Sequence, residues 1–396
     1  MNQPTKKPVI LVLLACYLPG YKSGGPVRTL ANMVDQLGDD FEFRIITRDR
    51  DMLDTSPYDS VSVDQWNSVG KASVFYASPG RIDFSSLVRL INETHHDVLY
   101  LNSFFNFSFT ILPLLARRLG KLPNRPVVLA PRGEFSPGAL GIGALKKLKK
   151  KIFIAAAKCI GIYRDITWQA SSEHEANDIN KISPGSKGLI HVAPDLTPVL
   201  GENQLKQTER KINEPLKILF LSRIAPKKNL EFALEVLETV SARAEFQIYG
   251  TIEDQSYWDR CREIIERMPS NISVHYCGAV RHEEVHEIMQ AHDLFFLPTR
   301  GENFGHVIFE ALSAGTPVLI SDQTPWNDIE EKGVGWVRSL EEKQNFSQII
   351  EKFLKDEEKV RLAQRTKVRQ YAVSYTKKNA ILSANRELFD NNIYLS

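Results

Sequence analysis

Pro298-Thr299-Arg300-Gly301-Glu302-Asn303-Phe304-Gly305-His306-Val307-Ile308-Phe309-Glu310-Ala311-Leu312 is the stretch on which the reading of this 396-residue chain turns. The apolar run Leu294–Leu297 ends just before it, a glycine-punctuated loop follows, and an apolar periodic pattern opens a helix near Gly305. Backbone amides at such a helix start are disposed to bind a diphosphate, and Glu302 stands in the loop beside them. Glu310 lies eight positions further on, just over two helical turns. A carboxylate there accepts hydrogen bonds of the kind a ribose diol or sugar hydroxyls supply. The plainer alternative is one solvated glutamate on a helix, but Val307, Ile308, Phe309, Ala311 and Leu312 leave it little polar face.

Outward from this stretch, short β-branched or aliphatic runs alternate with longer helical patterns along most of the chain. Strands are expected at 9–16, 43–47, 73–77, 98–102, 127–130, 167–170 and 189–192, then at 217–221, 245–249, 272–276, 294–297, 317–320 and 335–337. The spacing predicts helices at 27–37, 84–95, 108–119, 144–160 and 173–181 in the first half. In the second half it predicts them at 230–240, 257–267, 283–291, 306–314, 344–355 and 358–371. The fold class is therefore α/β, with two Rossmann-like parallel-sheet domains, 1–200 and 216–375, joined by a polar linker at 201–215. A last helical segment, 376–396, either caps the second domain or crosses back to the first. Two open α/β domains place the C-terminal ends of their strands, and hence a ligand, around a central cleft.

Composition narrows the class. Apolar residues make up 43% and charged residues 25%, as in soluble globular proteins, so disordered, collagen-like and disulfide-scaffold classes are excluded. A net charge of +2 is too balanced for a nucleic-acid binder. Cys16, Cys159, Cys261 and Cys277 form no CxxC pair, which fits a reducing, cytoplasmic compartment. Lys6 and Lys7 before an apolar run ending in Cys16 loosely imitate a lipoprotein signal, but the run reads better as a buried first strand.

Three other patterns bear on chemistry. No GxxxxGK[ST] or strand-following GxGxxG occurs, but Ser23-Gly24-Gly25-Pro26 separates the first strand from a helix and would let backbone approach a phosphate or sugar. A plain tight turn accounts for the pair equally well. His282-Glu283-Glu284-Val285-His286 is a literal HExxH that could hold zinc, yet Met289 and the strand following directly favour an exposed amphipathic helix. The segment 143–160 interleaves Lys146, Lys147, Lys149, Lys150 and Lys151 with aliphatic residues, as either a solvated helix or one lying on an anionic membrane.

Glu302 and Glu310 in a Glu-x7-Glu arrangement, with Phe304-Gly305 inside and Ala314-Gly315-Thr316-Pro317-Val318 after, resemble the retaining family-4 glycosyltransferases of GT-B fold (glycosyl transferases group 1). Leu221-Ser222-Arg223, followed by Lys227-Lys228-Asn229-Leu230, is similar to the same family's diphosphate clamp. Pro131-Arg132-Gly133-Glu134-Phe135-Ser136-Pro137-Gly138-Ala139-Leu140 resembles a subgroup of bacterial polysaccharide assembly. By this resemblance Arg223 and Lys228 hold the donor diphosphate, and Glu310 holds the ribose. Glu302 and the loop amides around Asn303, Phe304 and Gly305 position sugar and phosphates, and Gly24-Gly25 form the first domain's donor-phosphate loop. Arg132 and Glu134 fall on the acceptor or sugar side, without the histidine many relatives carry there. Gly250 and Gly278 are expected to be close backbone passages near the donor base, and Trp326 either caps the core or belongs to a site loop. Two cations and a helix start would stabilise a departing nucleoside diphosphate without metal.

The expectation is a glycosyltransferase that moves a sugar from a nucleoside-diphosphate donor, a UDP-sugar ahead of a GDP-sugar, to a glycan or polyprenyl-linked glycan of a surface polysaccharide. No resident cofactor or metal is implied, and peripheral contact with the cytoplasmic face of the inner membrane would run through 143–160. A nucleotide-sugar epimerase of the same fold, and a zinc hydrolase built on His282 and His286, are the rival readings.

Overall fold

The computed structural model describes residues 6–136, 139, 144–182, 190–201, 214–355, 357–377 and 379–394. Most of the expected linker, together with Pro137, Gly138, Leu140 and Gly143, lies outside the described residues, as do the side chains of 144–147. The chain divides into two compact units, Met1–Thr197 with Asn379–Ser396, and Pro198–Lys378.

The first unit is built on an eight-stranded sheet. Its strands, in chain order, are β1 (Val9–Leu13), β2 (Glu42–Arg48), β3 (Trp66–Val69), β4 (Ala72–Ala77), β5 (Val98–Asn102), β6 (Val127–Ala130), β7 (Thr167–Ala170) and β8 (Ile190–Val192), and across the sheet they run β3-β4-β2-β1-β5-β6-β7-β8. All pairings are parallel except β3 with β4. Every residue of β1, β5 and β6 is buried, which explains why these strands read as unbroken apolar runs. β3 was not expected, because Trp66-Asn67-Ser68-Val69 is a short, partly polar edge strand.

Helices α1 (Gly25–Leu37), α2 (Phe84–Glu93), α3 (Leu112–Arg118), α4 (Ala144–Cys159) and α5 (Glu173–Ile182) connect these strands. A π-helical turn, Phe107–Ile111, precedes α3. α1 buries Val27, Leu30, Met33, Val34 and Leu37, an i, i+3, i+4, i+7 stripe.

The second unit holds a six-stranded, wholly parallel sheet. Its strands are β9 (Leu216–Leu221), β10 (Ala244–Tyr249), β11 (Ile272–Gly278), β12 (Leu294–Leu297), β13 (Val318–Ser321) and β14 (Gly335–Arg338), in the order β11-β10-β9-β12-β13-β14. Helices α6 (Leu230–Leu237), α7 (Gln255–Glu266), α8 (His282–Gln290), α9 (His306–Ser313), α10 (Lys343–Lys355) and α11 (Glu358–Thr376) cover it. Strand order switches between β9 and β12, so the loops after these two strands flank the position where open α/β sheets bind ligands.

Gly250 ends β10 at φ 147°, and a Cβ there would lie 1.8 Å from the Ser222 carbonyl oxygen. This is the close passage expected of it. Gly278 is different: a Cβ there would meet nothing within 4 Å, so its φ of 78° reflects backbone conformation and not crowding.

The last helix, α12 (Asn379–Tyr394), packs on the first unit. Phe389 is fully buried against Phe41, Phe43 and Tyr100, with ring centroids 5.5, 6.1 and 5.4 Å away. Asn385 donates to the Pro194 carbonyl (2.8 Å) and Thr167 donates to Asn392 (2.7 Å).

Candidate active site

The loop 298–305 leaves β12 and enters α9, and it is held by the loop that leaves β9. Asn229, at the start of α6, is buried in the left-handed region (φ 63°). Its side chain donates to the Pro298 carbonyl (2.9 Å) and accepts from Arg300 Nε (3.1 Å). The Lys227 carbonyl accepts from the Arg300 amide (2.8 Å) and from Thr299 Oγ1 (3.1 Å). These contacts stitch together two loops about 70 residues apart in sequence. No local sequence pattern assigns Asn229 a task. Its partners are distant, and the one local signal was that asparagine tolerates a left-handed backbone.

Within this frame Lys228 Nζ lies 2.5 Å from Glu302 Oε1, with side chains 12% and 10% exposed. Burial pushes the Glu302 carboxyl up, but Lys228 and Lys227 together with a hydrogen bond from Thr299 outweigh it and hold the group below the usual carboxylate range. The Glu302 amide donates to the Gln323 carbonyl (3.0 Å). The Nδ2 of Asn303 is buried with no hydrogen-bond partner among the described residues. Phe304 is buried, and its carbonyl accepts from Trp326 Nε1 (2.5 Å). Trp326 also stacks on Phe309, with centroids 6.1 Å apart. The tryptophan thus caps the core and fixes the loop at once. Gly305 precedes α9 at φ 81°, and a Cβ there would lie 3.0 Å from Ile308 Cδ1 and 3.5 Å from Glu302 Cβ, so a larger residue would meet both strain and contact.

The remaining predicted residues sit in separate pairs. Arg223 Nη1 lies 2.6 Å from Glu253 Oε2, both partly exposed at the ends of β9 and β10. Glu310 Oε1 lies 3.7 Å from His282 Nδ1 across the α8–α9 contact. His286 is exposed at the surface of α8, and its proton affinity is lowered by local desolvation and by the charge of Arg369, from α11. Among the described residues no group of three or more His, Cys, Asp or Glu side chains is arranged to hold a metal, so the HExxH segment assembles no such set there. α8 is instead amphipathic, burying Val285 and Met289.

In the first unit Gly24 adopts φ 67° immediately before α1, with open space where a Cβ would stand. Gly25 and Pro26 open the helix. Arg132 and Glu134 are engaged within the unit. Arg132, at φ 57°, donates to Asp195 (2.6 Å), Asn102 (2.8 and 3.0 Å) and the Tyr100 hydroxyl (2.5 Å). Glu134 accepts from Ser103 Oγ (2.6 Å) and from the amides of Phe104 (2.5 Å) and Phe105 (2.9 Å), and burial raises its pKa. Both side chains therefore shape the strand-end loops, and their polar groups face those loops. Glu175 plays a comparable part, accepting from the Ser171 and Gly133 amides.

The two largely parallel α/β sheets, with this cation–carboxylate pair at the strand-order switch of the second, have the GT-B fold. Residues 202–373, a little under half of the chain, match the family model described as glycosyl transferases group 1. A 41.2 kDa uncharacterized protein in the cps region of Klebsiella pneumoniae is 25% identical over 259 residues, 63% of this chain and 67% of that protein. Among solved structures, Anabaena Alr3699/HepE in complex with UDP and glucose superposes with a TM-score of 0.69 at 16% identity, covering 97% of this chain and 99% of that one. WaaG, a glycosyltransferase involved in lipopolysaccharide biosynthesis, superposes at 0.59 with 15% identity over 98% and 100% of the two chains. At such identities the structural likeness establishes the fold.

Proposed function

We propose that this glycosyltransferase transfers a sugar, with retention of anomeric configuration, from a UDP-sugar to a glycan or polyprenyl-linked glycan in surface-polysaccharide assembly. The observation that carries the reading is the Lys228–Glu302 pair seated in the loop before α9. In the proposed reaction the bond from the anomeric carbon to the diphosphate oxygen breaks, and the acceptor hydroxyl oxygen bonds to that carbon on the same face. The departing phosphate oxygen takes the acceptor proton. Arg223 and Lys228 stabilise the charge gathering on the diphosphate, and the amides near Gly305 add to it. Glu310 accepts from the ribose, while Glu302 orients Lys228 and the sugar. Gly24 and Gly25 are assigned to the donor phosphates. The HepE complex with UDP supports the choice of base, and the cps-region relative and WaaG support the choice of pathway class.

Thermal unfolding with UDP, GDP, ADP and dTDP tests the donor site. A ligand at a hundred times its Kd adds about 2.7 kcal/mol, so UDP should raise the Tm of wild type but not that of Arg223→Ala or Glu310→Ala. Stabilisation by none of the four would overturn the reading. Product analysis with donor alone separates transfer from epimerisation.

We also assign α4 to a contact with the anionic cytoplasmic face of a membrane. Leu148, Ile152 and Ile160 are 54%, 59% and 53% exposed beside exposed Lys149, Lys151 and Lys158, while Ile154 and Ala157 hold the helix to the core. No helix among the described residues is long and apolar enough to cross a membrane.

A further inference from the structure

The HExxH segment is left without a task by the transferase reading, yet its first histidine meets the site. His282 opens α8 directly after Arg281, whose amide donates to Glu284 Oε2 (3.1 Å). That start sets the imidazole across from α9, with Nδ1 3.7 Å from Glu310 Oε1. One turn later His286 instead feels the charge of Arg369, while Val285 and Met289 on the same helix enter the core. The two histidines therefore serve different neighbours.

We propose that His282 is a positioning residue for Glu310, holding one carboxylate oxygen so that the other faces the ribose diol of the donor. The proposal rests on the assignment of Glu310 to the ribose. Glu310 is carried by a helix with apolar neighbours, and its side chain is 22% exposed. A carboxylate already held in one orientation loses less conformational freedom when a ligand binds. The imidazolium form grips the carboxylate more strongly than the neutral ring. Arg281, Glu283 and Glu284 on α8 pair with one another (Arg281 to Glu283 3.5 Å, to Glu284 3.0 Å), His306 and Glu310 lie on α9, and Arg369 on α11 acts on His286. The charged and titratable groups on the elements packed here also include His286 and Glu287 on α8 and Arg361, Arg365 and Lys367 on α11.

Titration calorimetry of the full chain with UDP, GDP, ADP and dTDP, at about pH 6 and about pH 8, tests this around the ordinary imidazole pKa of about 6.5. For the best-bound nucleotide, His282→Ala should raise Kd about two- to fivefold at the lower pH and less at the higher one. In a Glu310→Ala background the same substitution should add nothing. His282→Asn, a neutral donor, should recover part of the affinity without the pH dependence and shows that the helix start tolerates substitution. Equal Kd values for wild type and His282→Ala at pH 6, or an undiminished loss in the Glu310→Ala background, would overturn the positioning role. A Glu310→Ala protein that binds nucleotide normally, or a wild type that binds none of the four, overturns the ribose assignment and this inference with it.

Discussion

Lys228 and Glu302 come from positions 74 residues apart and meet at 2.5 Å with little access to water. Breaking a buried pair from one side is costly, because the remaining charge has lost both its partner and its hydration. Lys228→Ala should therefore destabilise the second unit by about 3–5 kcal/mol, and adding Glu302→Gln should recover part of that loss. The pH dependence has a defined sign. Glu302 titrates below its ordinary range when folded, so its stabilising contribution is present above the unfolded pKa and fades as pH falls through the folded one. In Lys228→Ala the carboxyl loses its main counter-charge, and the acid decline should begin at higher pH. Thermal melts from pH 7 down to about pH 3 on the three proteins check both statements. Glu302 was legible as a candidate from its place after a strand, and Lys228 from the resemblance to the family's diphosphate clamp. The pairing was not, because neither local pattern refers to the other.

At the scale of elements, α12 shows how far periodicity reaches. The sequence marks a helical segment after α11 but leaves two surfaces open to it. Its packing on the first unit is set by Phe389 entering the cluster of Phe41, Phe43 and Tyr100, and by Asn385 and Asn392 reaching groups of the first unit near β8 and on β7. Phe389→Ala should cost about 3–5 kcal/mol through the cavity it leaves. Limited proteolysis or hydrogen exchange should show the first unit loosening while the second keeps its protection, and loosening confined to the second unit would contradict this placement. β3 escaped notice for the opposite reason: an exposed edge strand buries too little to display a pattern.

For the whole molecule, charge and exposed apolar area coincide on α4. A lysine near an anionic surface contributes about 1 kcal/mol, so changing Lys149, Lys151 and Lys158 to Gln should weaken binding to phosphatidylglycerol-containing vesicles by roughly two orders of magnitude. Co-sedimentation of wild type and variant reads this directly. Equal partition of the two would remove the membrane assignment while leaving the donor site untouched.

Buried parallel strands and amphipathic helices announce themselves locally, because burial of one face or of a whole strand imposes a period on neighbouring residues. For that reason the two-sheet α/β architecture and the loop before α9 with Glu302 and Glu310 were accessible from residue order and spacing, whereas Arg223 and Lys228 became candidates through the resemblance to the group 1 glycosyltransferases. What each side chain touches depends on contacts between distant segments, to which no local period corresponds. Folding engaged Arg132 and Glu134 with groups of their own unit, buried Trp326 with its Nε1 on the Phe304 carbonyl, left open space beside Gly278, and gave His282 and His286 different charged neighbours. It also brought Asn229 and Lys227 under the 298–302 loop, because buried backbone carbonyls and amides need partners and these were the ones within reach.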